Sequence, residues 1–176
     1  MTRETKDYIN EVAERIVSHH NSLAPIDNIK SIVEGLGGMV VEKDAFDSVC
    51  DAVAMKTGDN TFTLFVAKHQ DDDRKRWAIA RTLGNVVLHM GFMTNPERWD
   101  EQKHEVHRRF NTYAQDEQAV EFAMALLMPK ATYLDIVNAN TTNNVVNVEK
   151  VAEYFKVSAA CVINRGKSLE VLQFQH

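Results

Sequence analysis

The hydrophobic period of this sequence changes twice, and those two changes constrain the fold more than any other feature. Up to Leu36 the apolar residues recur at helical spacing. Ile9, Val12, Ala13, Ile16 and Val17 mark a first helix over roughly Lys6 to Ser22, and Ile29, Ile32, Val33 and Leu36 mark a second. From Gly38 the pattern becomes that of strands. Gly38–Glu42, Asp51–Met55 and Thr61–Val66 are short runs rich in β-branched and aromatic residues, and Gly58-Asp59-Asn60 supplies a hairpin turn between the last two. At Asp71 the helical period returns. The order predicts an α+β fold in which helices surround a small antiparallel sheet of about three strands.

Local punctuation supports the same division. The His19-His20-Asn21-Ser22 cluster ends the first helix, its tandem histidines capping and solvated, and Asp27 is placed to cap the second, which Gly35, Gly37 and Gly38 close. The acidic run Asp71-Asp72-Asp73 suits the start of a helix whose face carries Trp77, Ala80, Leu83, Gly84, Val87 and Leu88. A charged, irregular stretch follows from Gly91 to about Ala114. Gln115 to Met128 then reads as a strong helix ended by Pro129, with Phe122, Met124, Leu127 and Met128 as core. Val148–Phe155 and Ser158–Leu172 form a closing helix pair, with Ser158 as N-cap.

A chain of 176 residues with 44% hydrophobic and 26% charged residues suits one domain with a real core and argues against disorder. No apolar run approaches a bilayer span, so no membrane association is expected. The start, Met1 to Asp7, is charged with no apolar stretch, which predicts no secretory signal and a cytoplasmic location. Cys50 and Cys161 are far apart and in no CxxC pair, which fits two reduced, buried thiols. A formal charge of -5 argues against direct nucleic-acid binding by the molecule as a whole.

Three segments bear a more specific pattern. Pro25-Ile26-Asp27 with Leu36-Gly37-Gly38, the helix Arg74 to His89, and the helix Glu117 to Pro129 together resemble the ImmA/IrrE family of zincin-type metallopeptidases. In that family the second segment normally reads R-x-R-F-T-x-A-H-E-L-G-H-x-x-L-H and the third E-A-N-x-F-A-x-x-L-L-M-P. Phe155-Lys156-Val157-Ser158 and Arg165 also look like the family's closing segment. The resemblance implies a single zincin-like domain, with residues 1–130 as the core carrying the active-site helices and residues 131–176 as a small helical lobe.

The chemistry such an enzyme needs is two histidines at i and i+4 to bind zinc, a glutamate beside the first as general base, and a carboxylate from another helix. This sequence holds Arg81, Thr82, Asn85 and Gln118 at those four positions, which makes them vestigial. The framework residues Ala80, Leu83, Gly84, Leu88 and His89 are intact, so the alignment is sound, and His89 is expected to pack or hydrogen-bond. An arginine stays protonated and has no lone pair for a metal. No catalytic residue, metal or cofactor is therefore expected. A substitute metal site built from Glu117 with His104 or His107 is conceivable. Glu117 is nevertheless turned about 100° from Gln118 around the helix, and both histidines sit among Lys103, Arg108 and Arg109, which suits a solvated charged segment.

These residues predict a pseudopeptidase that binds a protein. Active members of the family cleave helix-turn-helix repressors and usually belong to phages or mobile elements, so the resemblance implies such a repressor as partner. The expected cleft comprises Thr63 and Phe65 on the sheet edge around Thr61 to Val66, Arg81, Thr82 and Asn85 on one helix, and Glu117, Gln118 and Glu121 on the other. Across it, Arg81 would be held by Glu117, Glu121 or the amides of Asn85 and Gln118. Two alternatives stand beside this reading: an active zinc endopeptidase with a rearranged site, and a DNA-binding regulator using the closing helix pair, which carries Arg165 and Lys167 but no dense basic stripe.

Overall fold

The computed structural model describes residues 1–20, 24–44, 51–103 and 112–171. Helix α1, Arg3–His19, is opened by the Thr2 side chain accepting from the Thr5 amide and buries Ile9, Ala13, Ile16 and Val17. Helix α2, Ile29–Gly35, is capped by Asn28 rather than Asp27. The Asn28 side chain accepts from the Ser31 amide at 3.2 Å, while Asp27 turns outward to Lys156 Nζ at 2.7 Å.

The chain leaves α2 through Gly37 at φ +87, where a Cβ would lie 2.7 Å from the Asn60 carbonyl oxygen, so only glycine fits the approach to the hairpin turn. Strands β1, Gly38–Lys43, β2, Ala52–Gly58, and β3, Thr61–Ala67, follow in a sheet of order β1-β3-β2. The sheet is mixed, which corrects the antiparallel expectation. β2 and β3 pair antiparallel, but β1 runs parallel to β3 from Gly38↔Phe62 to Lys43↔Ala67. Side chains alternate in the same way in both pairings, so the sequence pattern carries no direction. Gly37, packed on Asn60, delivers Gly38 beside Phe62, so β1 begins next to the start of β3.

Helix α3, Asp72–Leu88, is capped by Asp71 and packs on β2 and β3. Helix α4, Pro96–Asp100, is anchored to the hairpin, since buried Lys56 donates to the Trp99 carbonyl at 2.8 Å and the Trp99 indole donates to Asp59. Helix α5, Tyr113–Leu127, packs against both α1 and α3. Pro129 does stop α5, and at φ -54 it also opens a helix that the sequence reading lacked, α6, Lys130–Ala139. A short hairpin, β4 (Thr141–Thr142) and β5 (Val145–Val146), turns through Asn143 and Asn144 at positive φ. Helices α7, Val148–Phe155, and α8, Ala159–Ser168, complete the described chain.

Two apolar clusters form. One joins the sheet to α1, α2, α3 and α5, and the other gathers Met124, Met128, Tyr133, Val151, Phe155 and Val162. Two buried arginines bind them. Arg76 donates to the carbonyls of Ile26, Phe155 and Lys156, and Arg165 to Met128, Asn10 and Glu121. Cys161 is free and half-buried, and Cys50 lies outside the described residues. Among the described residues, no helix is long and apolar enough to cross a membrane.

Candidate functional site

Helices α3 and α5 meet at Gly84, where a Cβ would lie 2.9 Å from Phe122 Cδ1, so the missing side chain sets how closely they approach. Arg81 and Asn85 flank that point on α3, and Gln118 lies one turn before Phe122 on α5. The helices are linked twice more. Arg81 Nη2 donates to Asp116 Oδ1, and His89 Nε2 hydrogen-bonds the Gln115 carbonyl at 3.1 Å. Burial lowers the His89 pKa, opposed by its bond to Gln115, so the neutral imidazole is favoured.

The partner of Arg81 differs from every candidate the sequence offered. Glu117 is exposed and pairs with the Met1 ammonium at 3.2 Å. Glu121 is 3% exposed and is not a cleft residue. Its carboxylate accepts from Arg165 Nη1 at 3.2 Å, Asn10 Nδ2 at 2.8 Å and Ser168 Oγ at 2.7 Å. The Asn85 amide oxygen is buried without a hydrogen-bond partner, as is Arg81 Nε. Asp116 escaped the sequence reading because an acid in the first turn of a helix is adequately explained by the helix dipole.

The rest of the expected cleft is redistributed. Thr82 and Thr63 are buried, and Gln118 is half-buried. Phe65 is half-buried under the Lys43 ammonium, 4.0 Å from its ring centroid. β3 is the central strand with both edges paired, so Thr61 to Val66 is not a sheet edge. The hairpin puts β2 on one side of β3 and the parallel start of β1 fills the other. His104, His107, Arg108 and Arg109 lie outside the described residues.

Residues 28–167 match the family model for IrrE N-terminal-like domains. The chain belongs to the ImmA/IrrE family. Its fold is similar to that of a Mycobacterium tuberculosis transcriptional regulator, with a TM-score of 0.61 at 17% identity over 92% of this chain and 50% of that chain. The ImmA/IrrE chain thus spans about half the length of that neighbour. No curated protein matches it.

The zinc ion implied by the zincin resemblance does not fit the donors present. Arg81 brings a permanent cation, Asn85 and Gln118 bring neutral amides, and the nearby Asp116 carboxylate is already engaged by the guanidinium. Among the described residues, no group of three or more His, Cys, Asp or Glu side chains is placed to hold a metal ion.

Proposed function

We propose that this ImmA/IrrE chain is a pseudopeptidase that regulates by binding a protein without cleaving it, and that the partner is a helix-turn-helix repressor of a phage or mobile element. The observation that carries the reading is the Arg81–Asp116 ion pair. It links the two helices that a zinc site would join, with a cation where the first ligand would sit, and among the described residues it leaves no group at these positions poised to activate water. Peptide recognition is separable from hydrolysis, because main-chain pairing to a sheet edge needs no metal. With β3 central, the outer strands are β1 and β2, and the reading places that pairing on β2, which packs against α3. That the structural neighbour is a transcriptional regulator is consistent with this role.

Of the two alternatives, the DNA-reading tail loses one of the two cations on its second helix, since Arg165 is fully buried against Glu121. A rearranged zinc site gains no donor set among the described residues. The decisive experiment incubates the chain, with added zinc, with the repressor encoded beside it, then measures complex formation by size-exclusion chromatography and repressor length by mass spectrometry. A complex with intact repressor is expected. Cleavage products, or two proteins that elute separately, would overturn the proposal.

A further inference from the structure

The three arginines on which the fold and the site depend are satisfied very unequally. Arg76, 6% exposed, donates to three backbone carbonyls, and Arg165, 0% exposed, has Met128, Asn10 and Glu121 as acceptors. Both are built into the frame. Among the described residues Arg81 has a single acceptor, one oxygen of Asp116, and its buried Nε is left without a partner. A guanidinium presents a planar fork matched to both oxygens of a carboxylate, so one-point contact leaves most of that capacity unused.

The surroundings make this vacancy specific. The Arg81 side chain is 39% exposed and Asp116 50% exposed, so the pair lies where a partner can reach it and where water weakens it. The other carboxylates on this part of α5 are engaged elsewhere, Glu117 by the Met1 ammonium and Glu121 by Arg165. Among the described residues, no second carboxylate is paired with Arg81. We propose that Arg81 is a carboxylate-binding anchor, and that a peptide carboxylate replaces Asp116 at the Nη end of the guanidinium. Asp116 is then a placeholder that occupies the cation until the peptide arrives. This rests on the partner-binding reading above and adds the chemical group recognised. The carboxylate has two possible sources, an Asp or Glu side chain or the C-terminus of a peptide, and both offer the same two oxygens.

The test uses three fluorescein-labelled pentapeptides of otherwise identical apolar sequence: one with a free C-terminus, one amidated with a central Glu, and one amidated with no acid. Binding is followed by fluorescence anisotropy at low salt, against the full chain and its R81Q, R81K and D116N variants, each checked for an unchanged melting temperature. One or both acidic peptides should bind at least about tenfold more tightly than the neutral one, and R81Q should abolish that margin. D116N should tighten the acidic peptide by removing its competitor, and R81K should recover only part of the wild-type affinity because an ammonium has no fork. The acidic peptide that responds identifies the source. Equal affinity for all three peptides, binding of none, or an acidic preference that survives R81Q would each overturn the proposal. Repressor capture that persists in R81Q would separate the outcomes, leaving the partner-binding reading intact while removing the carboxylate anchor.

Discussion

Replacing Glu121 with alanine separates a structural role for that residue from the cleft role its sequence position suggested. The carboxylate is 3% exposed and faces Arg165, which is 0% exposed. In E121A the guanidinium keeps the Met128 carbonyl at 3.1 Å and the Asn10 amide oxygen at 2.7 Å but loses the carboxylate it is paired with. Ser168 Oγ loses both of its contacts to the carboxylate at the same time. Leaving one member of a buried pair uncompensated costs about 3–5 kcal/mol. At roughly 2–4 °C per kcal/mol for a chain of this size, the melting temperature should fall by about 6–20 °C. Because total stability is only about 5–15 kcal/mol, this is a large share of it.

The assay is urea denaturation followed by far-UV circular dichroism, with E121A measured beside a double-mutant cycle of E121L, R165M and E121L/R165M. The double variant removes both charges and fills the space with apolar groups, so it should lie within about 1 kcal/mol of wild type. It should therefore be more stable than either single variant, with a coupling of about 2 kcal/mol or more. If E121A stays within 1 kcal/mol of wild type, or if the singles simply add, Glu121 is not the buried counter-charge of Arg165 and the lobe is held otherwise.

Further expectations follow from the same structure. Protein made in zinc-supplemented medium should retain no stoichiometric metal after dialysis, and elemental analysis finding about one zinc per chain would contradict the pseudopeptidase reading. Restoring R81H, T82E, N85H and Q118E together should regenerate zinc binding, measurable by calorimetry, because the Gly84–Phe122 crossing that aims these positions is present. A folded quadruple variant without affinity would show that supporting groups have also changed. G84A should lose about 1–2 kcal/mol, since overpacking against Phe122 outweighs the gain in helix propensity of about 1 kcal/mol. Glu42 is held down to about 2, from an ordinary 4.5, by hydrogen bonds from Lys30 and then Lys75. A folded pKa below the unfolded one contributes stability above about pH 4.5 that is lost as pH falls towards 2. E42Q should therefore flatten the acid limb of the stability profile over that window, and added salt should weaken the difference, because the carboxylate is exposed.

Sequence alone determined the elements with long, regular periodicity and clear ends. The α3 pattern from Asp71 to Leu88, the α5 pattern ending at Pro129, and the Gly58-Asp59-Asn60 hairpin are each recorded in residues close together along the chain. The placement of Arg81, Thr82 and Asn85 on α3 and of Gln118 on α5 was legible for the same reason, since a motif is a local spacing on a helix. Tertiary structure alone decided which groups meet. The parallel β1, the central place of β3, the Asp116 partner of Arg81 and the diversion of Glu121 to Arg165 all join residues distant in sequence. Periodicity reports which face of an element is apolar but not which neighbour lies against it. A carboxylate at Asp116, Glu117 or Glu121 is chemically equivalent on paper. Only the helix rotation set by the close approach of Gly84 to Phe122, and the burial of Arg165 of α8 against Asn10 and Glu121, distinguish the acid that holds Arg81 from those that pair elsewhere.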